Sequence, residues 1–533
     1  MARDGIADVS TAAGPGRGAE PPGRVPALAI ASHPSAHRVG ERVVLEALAA
    51  GHEVEVSRNA PDFARPDRVL GAPLDDPFVS RRPFRLVPLG GGGIRVVAGA
   101  GGTPVTIGAA EVGDHVDLAP EDVARGVPIE LAGRVVLLLH LLDREIAGAD
   151  RLGMVGDGAG IRRVRAAIER VADLAVPVLI RGETGTGKEL VARAIHDRGQ
   201  RRGGPFVSVN LGAIPRDLAA AELFGATRGA YTGATRDRDG LFRTAHGGTL
   251  FLDEAGEASP EVQVMLLRVL ETGEVSPVGA DRPVAVSVRL IAATDADLED
   301  HVWRGQFKAP LLHRLAGYEV RIPPLRERRE DIGPLFYHFA REELAATGEL
   351  ERLAPADPYA APWLPAAIAA QLVRHAWPGN IRQLRNVARQ LVIGSRGLPE
   401  ARFEPEFAAQ LAGPEADHAA RAGSVPPEPS GAPRRKPAEV SEEELLAALK
   451  ACKWDLKAAA DRLRIPRPSI YTLIERSPRI RTAGDVPADE IAACFHACGG
   501  DLDAMAVRLQ VSRRALQRRV KELGLAVRPP GTS

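Results

Sequence analysis

Seven consecutive residues, Gly182-Glu183-Thr184-Gly185-Thr186-Gly187-Lys188, have the types and spacing to hold a polyphosphate. Glycines let backbone N–H groups converge on an anion, a helix start behind them adds partial positive charge, and a lysine reaches the terminal phosphates. A second pair, Asp253 and Glu254, closes the apolar run Thr249-Leu250-Phe251-Leu252. A carboxylate at the C-terminal edge of a parallel strand can hold a magnesium-bound water, and its neighbour can orient the attacking water. Alone, the glycine run reads equally as a loop and the acidic pair as a strand entering one. Together they predict a Mg2+-dependent nucleoside-triphosphate hydrolase. Glu189 stands where a hydroxyl residue usually follows the lysine and touches magnesium.

These residues need a strand, a turn and a helix to position them. Val178-Leu179-Ile180 fits a buried strand, and Glu189 to His196 carries apolar residues at helical spacing. Further strands read at Val288 to Thr294 and Glu319 to Ile322 predict alternating β and α elements with a mostly parallel sheet.

The chain has 533 residues, enough for about three or four domains. Its 69 Lys and Arg balance 69 Asp and Glu, so nucleic acid or another charged partner must be met by a local patch. Cys452, Cys494 and Cys498 are its three cysteines, few enough to fit a reducing cytoplasm. Cys494 and Cys498, four apart, could share a metal, but nothing completes a zinc spacing, and they read as small apolar residues. The run Val135 to Leu142 falls far short of the ~20 residues of a spanning helix, so no membrane is expected. Residues 1–24, rich in Gly, Ala and Pro, read as a disordered leader.

Residues 25–145 hold short β-branched segments such as Val54-Glu55-Val56, Phe84 to Val87, Ile94 to Val97, Val105-Thr106-Ile107 and Val127 to Leu131, which predict a β-sandwich. Two Ser-Arg pairs, Ser57-Arg58 and Ser80-Arg81, offer hydroxyl and guanidinium donors suited to phosphate. The stretch resembles a forkhead-associated (FHA) domain, with Arg58, Ser80 and Arg81 at the phosphothreonine-binding positions. It departs from that pattern at Arg82-Pro83-Phe84, where a histidine is usual, and at Gly99 to Thr103, where an Asn-Gly turn is usual. The resemblance implies a regulatory phosphopeptide site; the other reading is a sandwich that packs on a neighbour or binds without phosphate.

Residues 152–400 resemble the AAA+ ATPase domain of sigma-54-dependent transcriptional activators, the bacterial enhancer-binding proteins. Glu222-Leu223-Phe224-Gly225 and then Gly229-Ala230-Tyr231-Thr232-Gly233-Ala234 carry the resemblance; read alone, the second segment is an ordinary small-residue turn with one aromatic. The family implies that this loop touches the sigma factor, normally with phenylalanine where Tyr231 stands. Glu189 after the lysine is what the family has. The resemblance further implies that Asn210 pairs with catalytic Glu254, that Arg382 in Trp377-Pro378-Gly379-Asn380-Ile381-Arg382 reaches the nucleotide from a lid, and that Arg314 acts on the next subunit's ATP within a hexamer. Pro323 to Arg328 also match. Three departures bear on hydrolysis. Asp295 occupies the usual asparagine position and would repel the γ-phosphate unless neutralised; Lys308 replaces an arginine and loses its fork; Pro310 should bend or shorten the following helix. Slower hydrolysis than the family pattern is expected. On this reading the core spans 150–325 and the lid 326–402.

Residues 413–440 read as a flexible linker. Beyond it, Glu444, Ala447, Ala451, Cys452, Asp455, Leu456, Leu463 and Arg467 recur 46 positions on as Glu490, Ala493, Ala497, Cys498, Asp501, Leu502, Leu509 and Arg513. Two helix-turn-helix copies, 441–482 and 487–525, resemble the Fis-type DNA-binding module. In the second, Ser512 can cap a helix bearing Arg513, Arg514, Gln517 and Arg518, suited to phosphates and guanine edges of double-stranded DNA; a charged solvated helix is the other reading. Residues 434–533 hold 19 Lys and Arg against 13 Asp and Glu. The expectation is a multidomain cytoplasmic regulator that binds upstream DNA and remodels sigma-54 RNA polymerase with ATP: a β-sandwich, an α/β P-loop ATPase with helical lid, and an all-α tandem helix-turn-helix. A non-catalytic phosphopeptide- and DNA-binding scaffold with a degenerate ring is the alternative, and an unrelated AAA+ chaperone or helicase loader fits less well.

Overall fold

The computed structural model describes residues 24–404, except 69, 109, 144–149 and 231–235, and parts of 440–523 that include 440–452, 486–498 and 502–512. It divides into two compact units, residues 1–419 and 420–533.

The first unit begins with a two-sheet sandwich. Its strands are β1 (Arg24–Ser32), β2 (Arg42–Val44), β3 (Val54–Val56), β4 (Phe84–Pro88), β5 (Ile94–Val97), β6 (Val105–Ile107), β7 (Ala110–Glu111), β8 (His115–Leu118), β9 (Val127–Leu131) and β10 (Val135–Asp143), with short helices α1 (Glu46–Ala49) and α2 (Pro120–Arg125). One sheet runs β2-β1-β10-β9-β6-β7 and the other β3-β4-β5-β8. Every expected strand is present. The leader reading stops one residue late, because Arg24 already pairs with Asp143 across β1 and β10.

The unbroken apolar run of β10 has a specific cause. Val135, Leu137 and Leu139 face the sandwich core, whereas Val136 and Leu138 belong to the core of the lid described below. A strand buried on both faces loses the alternation that marks a half-exposed one.

The ATPase core carries β11 (Val178–Arg181), β12 (Phe206–Asn210), β13 (Gly225–Ala226), β14 (Arg238–Asp239), β15 (Thr249–Asp253), β16 (Glu274–Val275), β17 (Val284–Ala285), β18 (Arg289–Thr294) and β19 (Tyr318–Arg321). Its helices are α3 (Ala159–Val171), α4 (Lys188–Arg198), α5 (Arg216–Phe224), α6 (Leu241–Thr244), α7 (Pro260–Thr272), α8 (Leu298–Trp303) and α9 (Ala309–Leu315). The main sheet is parallel in the order β12-β15-β18-β11-β19. Its buried strands read as continuous Val, Ile, Leu and Ala runs because helices cover both faces.

The lid is built from α10 (Ile332–Thr347), α11 (Ala366–Arg374) and α12 (Asn380–Gly394). Asp331 ties it to the core: its Oδ1 accepts the N–H groups of Asp157 and Gly158, both at 2.8 Å. Burial, and then the neighbouring Glu330 carboxylate, push the Asp331 carboxyl up to about 7. Gly156 (φ +104°) permits this approach, since a Cβ there would meet the carboxylate 2.5 Å away.

The sandwich sits on the lid. Tyr337 Oη and Ser32 Oγ share a buried 2.8 Å hydrogen bond, and a Cβ on Gly333 would strike the Ala31 carbonyl. Arg134, paired with buried Asp76 at 3.1 Å, donates to Ala360 O (2.7 Å) and Pro358 O (2.9 Å), and Arg374 donates to Gly108 O at 3.0 Å.

In the second unit the described helices are α13 (Glu442–Ala451), α14 (Ala488–Ala497) and α15 (Leu502–Leu509). Ser441 and Glu444 cap α13 reciprocally. Two separate small cores form, and they match at the 46-residue offset: Leu445, Ala448, Ala459, Leu463 and Ile470 in one are Ile491, Cys494, Met505, Leu509 and Leu516 in the other. Cys494 and Cys498 are free thiols 3.9 Å apart, and no metal-binding cluster occurs among the described residues. Among them, too, no helix is long and apolar enough to cross a membrane.

Candidate nucleotide site and its trans-acting helix

Strand β11 delivers the chain into the glycine loop at the C-terminal edge of the sheet. Gly185 (φ +79°) and Gly187 (φ +98°) take left-handed conformations, and α4 starts at Lys188. Gly182 N–H donates to Thr294 O at 3.2 Å, and Thr186 Oγ1 donates to Glu183 O at 2.7 Å. Lys188 Nζ lies inside the loop, donating to Gly182 O (2.8 Å) and Glu183 O (3.4 Å). Glu189 is exposed on the first turn of α4, 3.9 Å from Arg193.

The acidic pair stands two strands away in the same edge. Asp253 is opposite Asn210 in the β12–β15 register. Burial pushes the Asp253 carboxyl up, while the Glu254 N–H, at 3.0 Å, and the Lys188 charge oppose that rise. Glu254 has φ +54°, a left-handed conformation that costs a non-glycine residue on the order of 1–2 kcal/mol. Asn210 Oδ1 accepts the N–H groups of Gly212 (2.8 Å) and Ala213 (3.2 Å). A Cβ on Gly212 would collide with Glu254 Oε2 and lie 3.3 Å from Asn210 Oδ1. The two side chains therefore flank one glycine, and the Asn210 oxygen is engaged by backbone.

Asp295 accepts the Thr184 hydroxyl at 2.7 Å. The acid at this position is thus held against the phosphate loop by a neutral donor. A half-buried carboxylate at Asp253, with the Glu254 N–H and the Lys188 charge beside it, is chemically suited to hold Mg2+ through water, as hard-cation oxygen ligation requires.

Two lid residues contact the loop in ways the sequence reading did not assign. Arg326 forks onto Glu183 at 2.6 and 2.8 Å, and this pair holds the Glu183 carboxyl below its ordinary value. Asn380, fully buried with φ +51°, donates to Glu183 Oε2 and Thr184 O, both at 3.1 Å, and accepts Leu325 N–H at 2.7 Å. Its place after Pro378-Gly379 was the available signal, since such turns precede helix starts. The α12 N-terminus then aims the N–H groups of Ile381 (3.0 Å) and Arg382 (3.3 Å) at Gly185 O. The exposed Arg382 side chain is thereby set beside the loop. A cavity of about 100 Å³ lies between loop and lid, lined by Met154, Val155, Leu190, Phe339 and Ile381 among others, an apolar slot suited to a flat base.

Lys308 and Arg314 are both exposed. Lys308 is the N-cap residue of α9, and Arg314 lies 3.7 Å from Glu271. Pro310 lies in the first turn of α9, where N–H groups lack intrahelical acceptors in any case, and the helix is seven residues long.

The loop from Gly229 to Ala234 is flanked by the antiparallel pair β13 and β14, with Gly225 opposite Asp239. Gly229 has φ +83° and Ala230 N–H donates to Thr227 O at 3.1 Å; Tyr231, Thr232, Gly233 and Ala234 lie outside the described residues.

On the sandwich, Arg58 is half-buried and its guanidinium is engaged by backbone. Its Nε donates to Val79 O at 2.7 Å and its Nη2 to Pro77 O. Ser80 N–H donates to Thr103 Oγ1 at 2.6 Å, Ser80 Oγ accepts Arg82 N–H at 3.0 Å, and Arg81 is exposed. In the C-terminal unit the Ser512 carbonyl accepts Leu516 N–H at 3.0 Å, while Arg513, Arg514, Gln517 and Arg518 lie outside the described residues.

A parallel sheet with a glycine phosphate loop, acids on a nearby strand edge and a helical lid closing the loop define a AAA+ P-loop ATPase domain. Comparison with known proteins agrees: the Sigma-54 interaction domain family matches residues 154–321 and the AAA+ ATPase lid domain family matches 326–418. The DNA-binding transcriptional regulator NtrC of Rhizobium meliloti is 37% identical over 347 residues, 60% of this chain and 69% of that protein. NtrC of Bradyrhizobium is 45% identical over 242 residues, 45% of this chain and 48% of that protein. The crystal structure of NtrX from Brucella abortus in complex with ATP aligns with a TM-score of 0.42 and 31% identity over 70% of this chain and 69% of that one. The chain belongs to the NtrC-like family of sigma-54-dependent transcriptional regulators. It spans about half the length of several curated relatives it matches, 48% and 53% in two of them.

Proposed function

We propose that the protein is an ATP-dependent transcriptional activator that assembles into a ring, the hexamer its family resemblance implies, binds upstream double-stranded DNA through its second C-terminal repeat, and remodels sigma-54 RNA polymerase through the Gly229 to Ala234 loop. The observation that carries this reading is the convergence of Lys188, Asp253 and Glu254 at one sheet edge, with the lid closed on the loop through Glu183, Asn380 and Arg326. Lys188 binds phosphate, Glu254 orients and deprotonates the attacking water, and Arg382 reaches the phosphates from the lid. When bound, Mg2+ held through Asp253 neutralises charge on the phosphates. Arg314 and Lys308, both exposed, serve the neighbouring subunit, so turnover requires assembly.

The sandwich supplies regulation. Arg58 braces the 77–79 backbone, which leaves Ser80 and Arg81 as the groups positioned to take a phosphothreonine phosphate. Because the same domain is seated on α10 and α11, a ligand there acts on the lid rather than through a loose tether.

The test is ATP turnover and open-complex formation at a sigma-54 promoter. Lys188→Ala should abolish both, and Tyr231→Ala should abolish only open-complex formation. The second reading, a scaffold with a degenerate ring, is favoured by Asp295 on the Thr184 hydroxyl and by Lys308 in place of a fork. It predicts nucleotide binding with no turnover in either wild type or variants.

A further inference from the structure

We infer that Gln263 is a positioning residue that sets the trans-acting helix α9 by strapping it to the backbone that follows the catalytic acid. The inference rests on the shared-site reading above and adds the device that holds Arg314 in place.

Gln263 lies in the second turn of α7 and is 1% exposed. A buried primary amide needs its two donors and its acceptor satisfied, and here all three roles bridge two loops. Its Nε2 donates to Ala258 O and to Gln306 O, each at 2.9 Å, and its Oε1 accepts Lys308 N–H at 2.9 Å. Ala258 closes the short turn Ala255–Glu257 that begins at Glu254. Gln306 and Lys308 immediately precede α9, which carries Arg314.

The far end of the same helix pair is held as well, because Glu271 in the last turn of α7 lies 3.7 Å from Arg314. Leu266, Val269, Leu311, Leu312 and Leu315 belong to one core. Helix α9 has only seven residues, too few to be stable alone, so its placement comes from core packing and from how the chain enters it. Two of the Gln263 hydrogen bonds fix that entry, at Gln306 O and Lys308 N–H, and the third anchors them to Ala258 O. The buried amide therefore ties the entry of the helix that offers Arg314 to the next subunit, and Gln263 acts on the reaction through α9 alone.

The experiment uses full-length protein. Gln263→Met keeps the volume and removes all three bonds; Gln263→Glu keeps the acceptor for Lys308 N–H and loses both donors. Turnover of Gln263→Met should fall on the order of 10²-fold, the effect of a misplaced catalytic group, with ATP affinity held within about twofold. Gln263→Glu, which sets a buried carboxylate against the Ala258 and Gln306 carbonyls, should fall at least as far. Mixing Gln263→Met with Lys188→Ala should then restore turnover, because the first supplies an intact phosphate loop and the second a correctly held α9; at equal mixing roughly a quarter of ring interfaces combine them. A merely structural defect in the Gln263 protomer is not repaired by a partner. Arg314→Ala mixed with Lys188→Ala runs in parallel. If that pair is restored and neither Gln263 variant is, the assignment to α9 is overturned. If that pair is not restored, the shared-site reading fails and the role of Gln263 goes with it.

Discussion

Ser32 and Tyr337 share a hydrogen bond of 2.8 Å with no access to water, joining the first strand of the sandwich to the first helix of the lid. Burial pushes the Tyr337 phenol up to about 12, so it stays a neutral partner across the working pH range. Beside it, Gly333 lets α10 lie directly on the Ala31 backbone. The N-terminal domain is built into the lid rather than hung from it.

That junction can be loosened selectively. Tyr337→Phe leaves the Ser32 hydroxyl buried without this partner and should cost about 1 kcal/mol. Gly333→Ala drives a Cβ into the Ala31 carbonyl and should cost about 1–3 kcal/mol, as overpacking does. Urea midpoints followed through Trp363 and Trp377, both buried in the lid, measure the two losses.

The same unit should soften in acid. Burial lowers His33 and His140 from 6.5 to about 4. A histidine whose folded value lies below its unfolded value is fully stabilising above 6.5 and loses that contribution as pH falls toward 4. The slope is about 1.4 kcal/mol per pH unit for each group. His140 faces the Arg42 guanidinium from β2. His140→Leu should flatten the acid limb of a pH series of urea midpoints by one proton.

The link between loop and lid has the opposite kind of partner. Arg326 holds the Glu183 carboxyl below its ordinary 4.5, so the pair contributes above that value and is lost as pH falls below it. Both side chains are about 40% exposed, so the contribution stays within about 1 kcal/mol. Arg326→Ala should raise hydrogen exchange at Gly185 to Lys188 while leaving the β18 amides protected. Equal protection in the two proteins would mean Asn380 alone holds the loop.

Hydrolysis should improve when the two departures are reversed. Asp295→Asn keeps an oxygen for the Thr184 hydroxyl and removes a charge that opposes the γ-phosphate, and Lys308→Arg restores a fork. The double variant should turn over ATP several-fold faster than wild type. An unchanged rate would show that neither position limits hydrolysis.

DNA binding should depend on the second repeat. Arg514→Glu with Arg518→Glu should weaken binding and shallow the log affinity against log salt plot by about two contacts, while the matching change at Arg476 should do less. Fluorescence anisotropy across a salt series reads both quantities.

The ATPase domain was legible because its chemistry is local. Gly182 to Lys188 and Asp253-Glu254 each lie on one continuous strand-to-loop segment, and the 46-residue repeat reappears as two matching cores through Leu445 and Ile491. The place of Pro310 was not legible, because its consequence depends on where the helix begins, and Lys308 is the cap.

By itself the sequence determined where a glycine loop and an acidic strand end lie and that the C-terminal region is duplicated, since both are properties of neighbours along the chain. Only the tertiary structure decided what lies across space. It turned Arg58 inward onto Pro77 and Val79, placed Asp295 on Thr184, assigned Glu183 to Arg326 and Asn380, and buried Gln263 between the Glu254 turn and α9. It also put the two faces of β10 into two different cores. Each of these pairs polar or apolar groups from distant segments, and the need to satisfy them on burial is set by the packed fold, with no signature in local spacing.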